Sequence, residues 1–218
     1  MAKGDIKDIK YFKQANGGKH SAFNLAFQHA TGELFISIDA DDSSAPDTLA
    51  FYAEKWLAIP EDERNQYSGV SALAGYPDGT IIGDKYPMDG FISNNFDLKY
   101  KLKLKGEKCG CVRVDLMKSR PFPTMKSSFY PEDYVWLYFA KYYKVVNYNK
   151  INKIYYQEEN SIMHNTKKKF TKNALMVKAS YNAWLLKTWG RQLFFVDPKS
   201  FVYSAMQIIG CPLLALVK

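Results

Sequence analysis

Apolar and polar positions alternate with two different periods in the first quarter of the chain. From Ser21 onward apolar residues recur at three- and four-residue spacing, which predicts a helix ending near Gly32. Residues 34–38 form an apolar run typical of a buried strand, and residues 44–57 predict a second helix that a proline ends. Residues 6–12 predict a short strand ahead of these elements. Strands and helices in this order predict a parallel sheet covered by helices.

The rest of the chain continues this α/β pattern and ends in helices. A hairpin is predicted over residues 68–83, further strands at 109–114, 145–148 and 151–156, and a helix at 134–143. From residue 167 onward the pattern is helical and basic. We therefore expect a mostly parallel sheet flanked by helices, with a C-terminal helical extension. The predicted division is a domain over residues 1–160 and an extension over 161–218.

Composition narrows the class of protein. The 218 residues suit one domain with a helical appendix, and 47% hydrophobic with 24% charged residues is typical of a globular chain. The net charge of +8 is enough to attract a polyanion or an anionic membrane surface. Three cysteines form no disulfide framework, and without a secretory signal sequence the expected location is the cytoplasm.

Three aspartates follow the apolar strand at once: Asp39, Asp41 and Asp42. In open parallel sheets, ligands collect at the carboxyl ends of strands. Carboxylates placed so closely repel each other unless a positive group lies between them. Mg²⁺ or Mn²⁺ prefers such oxygen ligands and leaves coordination positions open for phosphate oxygens, which predicts a metal–diphosphate site. The alternative is a solvated loop that caps the next helix.

Two further polar stretches are candidates for chemistry. Glu132 and Asp133 precede an aromatic-rich helix, where negative charge is favourable, or else supply a general base to an acceptor hydroxyl. Asn16, Gly17 and Gly18 form a glycine loop that could present backbone N–H groups and Lys19 to a phosphate, although it lacks P-loop spacing.

The basic, aromatic segment 167–191 has two interpretations. It binds a membrane interface, or it packs on the main domain with a solvated lysine face. The apolar residues 201–217 that follow are too short for a confident bilayer span. The first interpretation predicts peripheral membrane contact through residues 167–218, at the inner face of the membrane, and the second predicts none.

In their order along the chain, these motifs resemble family 2 glycosyltransferases of the GT-A fold. The resemblance covers roughly residues 6–161. The residues that carry it lie in seven short groups: Asn16 to Asn24, Thr31-Gly32-Glu33, Ile36 to Asp42, Gly106-Glu107-Lys108, Arg113-Val114-Asp115, Phe122-Pro123, and Phe129 to Asp133.

The resemblance implies transfer of a sugar from a nucleotide-diphosphate donor, usually with inversion, to a saccharide or lipid-linked acceptor. Asp39 and Asp41 would form its D-x-D motif, with Asp41 on Mn²⁺ or Mg²⁺, Asp39 nearer the donor ribose and Asp42 in support. Asp133, beside Glu132, would deprotonate the acceptor. The donor pocket would include Asn16, Gly18, Lys19 and Asn24.

The sequence departs from the family at its start. Family members begin with a strand–helix–strand unit that binds the nucleotide base, and such a unit needs about 30 residues or more. Here the chain reaches the Asn16 loop almost at once. We therefore expect an N-terminally truncated domain with an exposed strand edge, weak or no activity alone, and possible completion by a second chain.

Two rival functions come from other classes. In a HAD-type phosphatase an apolar strand also runs into D-x-D; Asp39 would then be the nucleophile and Asp41 the acid. Ser43 stands where such sites usually carry Thr or Val, which counts against it. A non-enzymatic basic binding module is the other rival. Because no nucleic-acid motif accompanies the charge, we expect no nucleic-acid partner.

Overall fold

The computed structural model describes residues 9–124, 127, 130–156 and 171–216. Twelve helices and strands make up this part of the chain. In order they are α1 (Lys19–His29), β1 (Leu34–Ile36), β2 (Asp42–Ser44), α2 (Thr48–Leu57), β3 (Tyr67–Gly75), β4 (Phe91–Ser93), β5 (Lys108–Arg113), α3 (Val114–Ser119), α4 (Asp133–Phe139), β6 (Lys144–Tyr155), α5 (Lys172–Val196) and α6 (Pro198–Leu216). A 3-10 turn, Arg64–Gln66, precedes β3, and a π-helical segment, Asp97–Lys101, follows β4.

The strands form one mixed sheet in the order β1-β5-β3-β6-β2, with β4 also paired to β6. β3 and β6 are parallel, and the other pairings are antiparallel. The α/β class is confirmed, but the sheet is not mostly parallel. β1 and β3 do run in the same direction, as a strand–helix–strand order requires, because β5 lies antiparallel between them. Within the described residues β1 pairs with β5 alone and so stands at one end of the strand order. The exposed edge expected from the sequence stays a prediction.

Helix α2 covers one face of the sheet. Tyr52 and Trp56, four positions apart and therefore on one side of α2, pack against Val70 and Val146. All but one residue of β3 is buried, as expected for a strand covered on both faces. Burying an aromatic or aliphatic side chain of this size stabilises the fold by about 1.5–3 kcal/mol.

The other face is covered by apolar residues of α1, α3 and α4, many of them aromatic. Phe27, Met117 and Phe139 form its buried centre together with Phe122. Asn24 fixes the backbone of Phe122: its Nδ2 donates to the Phe122 carbonyl at 2.7 Å, and the Phe122 N–H donates to its Oδ1 at 2.9 Å. Two motifs 98 positions apart in the sequence therefore form one structural unit.

The C-terminal extension is confirmed as a pair of helices. The Thr171 side chain caps α5 by accepting from the Ala174 N–H at 3.2 Å. Trp189 then stacks on Phe96 of the π-helical region, with ring centroids 4.1 Å apart. α6 packs back along α5, and Cys211 and Ala215 lie against the first turns of α5.

One helix in the described part of the chain is long and apolar enough to cross a membrane. By length and composition it is α6, in which an 18-residue window has a mean hydropathy of 1.3 and is 17% buried. The sequence pattern predicts an apolar stretch at residues 201–217, which is too short for a confident bilayer span. The helix begins earlier, at Pro198, and so reaches the necessary length.

Local expectations differ from the structure at several places. Residues 9–12 are not in a strand, and residues 6–8 lie outside the described part of the chain. The predicted hairpin partner of β3 is reduced to a single bridge between Gly75 and Ile81. The two strands predicted at 145–156 are one strand, β6. The boundary predicted at residue 160 also lies outside the described residues, so the division into two units stays a prediction.

Candidate active site

The aspartates lie in a turn between two strands that are far apart in the sheet. The Asp42 N–H donates to the Asp39 carbonyl at 3.1 Å, and β2 begins at Asp42. β1 and β2 stand at opposite ends of the strand order, so residues 37–41 cross from one to the other. The crossing follows the carboxyl end of β1 and reaches the carboxyl end of β6.

Lys153, near the end of β6, is the positive group between the carboxylates. Its Nζ lies 3.2 Å from Asp39, 2.7 Å from Asp42 and 2.5 Å from Glu107, and its side chain is 11% exposed. Burial lowers the pKa of Lys153, but hydrogen bonds to Asp42, Glu107 and Asp39 outweigh it and raise the pKa overall. The aspartates are thus held together by an internal lysine.

The three aspartates have different environments. Asp39 lines the cavity described below, while the Asp42 side chain is 2% exposed and its Oδ1 has no hydrogen-bond partner in the described structure. Asp41 lies exposed in the turn. No group of three or more His, Cys, Asp or Glu side chains within the described ranges is arranged to hold a metal ion.

The glycine loop delivers Lys19 to Asp39. The Gly18 N–H donates to the Asn16 side chain at 3.1 Å, and Gly18 adopts φ +84°, a conformation that favours glycine. Helix α1 therefore starts at Lys19, whose Nζ is 3.0 Å from Asp39 and 3.9 Å from Glu132. Burial raises the pKa of Asp39, but Lys19 and Lys153 outweigh it and lower the pKa overall. Asn16 and Gly18 themselves do not line the cavity.

Glu132 and Asp133 begin α4 and face the same cavity. Lys99, from the π-helical segment, forms an ion pair with Asp133 Oδ2. The Tyr181 hydroxyl of α5 donates to the same oxygen at 3.1 Å. Burial lowers the pKa of Lys99, but the Asp133 charge outweighs it and raises the pKa overall. Asp133 is thus fixed through one oxygen, and its Oδ1 has no protein partner among the described residues.

These groups meet in one cavity of about 480 Å³. Its apolar wall includes Phe23, Phe35 and Trp136, and backbone of Gly69 and Gly110 lies at its surface. Four lysines and four carboxylates line it: Lys19, Lys99, Lys108, Lys153, Asp39, Glu107, Glu132 and Asp133. Of the residues predicted for the site, Lys19, Asp39, Glu132 and Asp133 are brought together here. Asn24, Asp41 and Asp42 are not among the lining residues.

Lys108 differs from the other three lysines. In the described structure it makes no ion pair; its Nζ contacts the carbonyls of Asp84 and, at 3.3 Å, Lys105. Burial lowers the pKa of Lys108, and the charge of nearby Asp84 offsets this only in part. Lys108 is therefore the one lysine of this set that forms no ion pair among the described residues.

Sequence reasoning missed five of these residues as members of the site, and one of them is Lys153. Glu107 and Lys108 belong to a motif of the resemblance, although no role followed from it. Lys99 belongs to a run of basic residues, from which the sequence predicted positive charge but no role in the site. Nothing in the sequence distinguished Tyr181, because its contact with Asp133 spans 48 positions.

Comparison with known proteins tests the family. The model of the glycosyl transferase family 2 matches residues 1–113, just over half of the chain. The crystal structure of S. aureus TarS 1-349 is similar over 88% of this chain and 52% of that chain, with 17% sequence identity and a TM-score of 0.49. This chain thus spans about half the length of that 1-349 chain. No curated protein matches the sequence.

The matched region contains the glycine loop, the aspartate turn, Glu107 and Lys108, and so most of one side of the cavity. Since this match extends over more than half of the sequence, the chain belongs to glycosyl transferase family 2.

Proposed function

We propose that this chain transfers a sugar from a nucleotide-diphosphate donor to the hydroxyl of a saccharide or lipid-linked acceptor, with inversion. One observation carries the proposal. Asp39 and the pair Glu132–Asp133, far apart in sequence, line a single cavity in which Lys19 bridges them. A donor and an acceptor need to meet in such a shared space.

The charges of the cavity support binding of a diphosphate. Lys108, which forms no ion pair among the described residues, and Lys19, whose side chain is 49% exposed, both line the cavity. Lysine is a common phosphate-binding residue. The other three lysines, Lys19 included, are bound to carboxylates, so the lining residues do not balance the negative charge of a diphosphate.

That excess negative charge favours a divalent cation bound with the donor. Mg²⁺ and Mn²⁺ are commonly held by one or two carboxylates together with substrate phosphates. Asp41 suits this arrangement because it is exposed in the turn and forms no ion pair in the described structure. When bound, the cation would offset charge on the diphosphate. Asp42, committed to Lys153, would instead shape the turn.

Asp133 would act as the general base. Its Oδ2 is held by Lys99 and Tyr181, which leaves Oδ1 to accept the proton of the acceptor hydroxyl. The acceptor oxygen then forms its bond to the anomeric carbon as the bond from that carbon to the diphosphate oxygen breaks. The diphosphate leaves with the electron pair. Attack opposite to the leaving group inverts the configuration at the anomeric carbon.

The family membership favours this reaction over the two rivals. A phosphatase with Asp39 as nucleophile would need that carboxylate free to attack phosphorus, whereas Lys19 and Lys153 both bind it. A non-enzymatic basic module would not need the balanced set of lysines and carboxylates that lines the cavity.

The test is sugar transfer by the purified chain from a panel of nucleotide sugars, with Asp133→Asn beside the wild type. We expect Asp133→Asn to lower kcat by about 100-fold or more, in the range that loss of a general base costs. Asp115→Asn is the matched control. Asp115 also lies in the first turn of a helix and is bound by one basic residue, Arg113, but it is outside the cavity. Equal activity of wild type and Asp133→Asn would exclude Asp133 as the base.

A further inference from the structure

The outer face of α6 carries an apolar stripe that nothing in the described structure covers. Its five members recur at spacings of four and three residues, so they lie on one side of the helix. Each is more than half exposed: Val202, Met206, Ile209, Leu213 and Leu216. Tyr203 and Leu214, both also more than half exposed, widen the stripe.

The stripe is not a core face left open by loose packing. The opposite side of α6 is the one that packs on α5, through small side chains such as Cys211 and Ala215. Helix α5 in turn is fixed to the main domain by Leu185, Trp189 and Leu193. A contiguous exposed apolar surface on an otherwise packed helix is typical of an interaction site.

The charge of the two helices identifies the partner. α5 and α6 contain five basic residues and no Asp or Glu: Lys172, Lys178, Lys187, Arg191 and Lys199. Two of them border the stripe. Lys199 lies three positions before Val202 on the same side of the helix, and Lys178 Nζ is 5.6 Å from the ring centre of Tyr203. Apolar residues edged by lysine are the pattern of helices that lie in an anionic membrane surface.

We propose that the exposed face of α6 seats the protein on an anionic membrane surface, with the helix lying in the plane of the bilayer. A second copy of the chain is a poorer occupant, because two such basic faces repel each other. A transmembrane position is also poorer, because one side of α6 is committed to α5. The proposal goes beyond the sugar transfer and does not depend on it.

The experiment is flotation of the purified chain with vesicles of phosphatidylcholine, with and without phosphatidylglycerol, and with no donor or acceptor present. We expect binding that needs the anionic lipid, weakens as salt is raised and is reversed by alkaline carbonate. Ile209→Glu with Leu213→Glu should weaken binding by about tenfold or more, since two apolar side chains no longer enter the interface.

The matched control is Leu49→Glu with Leu57→Glu. Leu49 and Leu57 are apolar residues of α2 with 70% and 62% exposure, close to the exposure of Ile209 and Leu213. Their substitution adds the same charge as the α6 pair. The milder pair Ile209→Ser with Leu213→Ser should also bind more weakly than the wild type. Circular dichroism and thermal unfolding establish that each variant is folded.

Four results would overturn the proposal. They are no binding that depends on anionic lipid, equal loss in the α2 and α6 variants, association that resists alkaline carbonate, and a concentration-dependent dimer that the α6 substitutions abolish. The last two would identify a bilayer span and a second copy, respectively. Because no sugar nucleotide is used, these outcomes are separate from failure of the proposed transfer.

Discussion

Asp133 is oriented by residues from two other parts of the chain. Lys99 and the Tyr181 hydroxyl both bind its Oδ2, while the Tyr181 ring packs on Tyr134 with centroids 5.3 Å apart. Contacts of this kind hold the carboxylate in one orientation. The C-terminal extension therefore contributes directly to the geometry of the proposed base.

Tyr181→Phe tests this positioning role. The ring and its packing remain, but Asp133 loses a hydrogen bond to a charged group, which is worth about 1.5–3 kcal/mol. We expect kcat to fall by about tenfold or more with KM little changed. Steady-state kinetics measures kcat and KM separately.

The control for this substitution is Tyr142→Phe. Tyr142 is 60% exposed, and its hydroxyl makes no hydrogen bond in the described structure. A purely structural role for Tyr181 would lower thermal stability while the folded variant kept the kcat of the wild type, and that outcome would exclude Tyr181 as a positioning residue for the base.

At the level of elements, two glycine turns in contact place Glu107 and Lys108 in the cavity. Gly83 and Gly106 both adopt φ +86°, and a Cβ on Gly106 would lie 2.1 Å from the Ile82 carbonyl oxygen. The Asp84 N–H donates to the Lys105 carbonyl at 3.0 Å, and the Lys105 N–H donates to Asp84 Oδ2 at 2.8 Å. This close backbone approach requires glycine.

Gly106→Ala is expected to destabilise the protein and to weaken donor binding. A positive φ alone costs an alanine about 1–2 kcal/mol. With the backbone clash added, the loss in free energy of unfolding should be about 3 kcal/mol or more, which is in the upper range for single substitutions. Chemical denaturation measures the free energy of unfolding.

Gly79→Ala separates the two costs, because Gly79 has φ +84° but no atom within 4 Å of an added Cβ. We expect Gly79→Ala to lower the free energy of unfolding by the smaller amount, the cost of the positive φ alone, and to leave donor binding unchanged. If both alanine variants unfold at the same denaturant concentration, the close approach of the two turns does not matter for stability.

Much of the element pattern was visible in the sequence, whereas the pairing of strands was not. The apolar run before Asp39 identified β1, and the three- and four-residue spacing after Ser21 identified α1. The insertion of β5 between β1 and β3 has no local signature, because strand pairing is decided by contacts across the whole sheet. β2 and β4, three residues each, are too short to show a period.

For the site, sequence indicated the carboxylates but not the lysines that hold them. A run of aspartates after a strand stands out, while Lys153 is an ordinary residue of an alternating strand. Its contact with Asp39 spans 114 positions, and its meaning appears after the sheet has formed. The positive group expected between the carboxylates is therefore present as a lysine of the chain.

At the scale of the whole molecule, the cavity, the sheet and the helical extension form one arrangement. The aspartate turn and Lys153 close one side of the cavity, α4 and the π-helical segment close another, and α5 connects that second side to the basic, apolar face of α6. The proposed function accordingly depends on whether this cavity binds a nucleotide diphosphate.

Calorimetric titration of nucleoside diphosphates into the purified chain, with and without Mn²⁺, tests this claim most directly. We expect one nucleoside diphosphate to bind more tightly with Mn²⁺, and Asp41→Ala to lose that dependence. Lys108→Met should weaken binding by about tenfold or more, because it removes a charge-assisted contact. Lys105→Met, an exposed lysine three positions earlier, should bind as the wild type does. If no nucleoside diphosphate binds the folded chain, or if Lys108→Met and Lys105→Met bind equally well, the cavity is not a donor site.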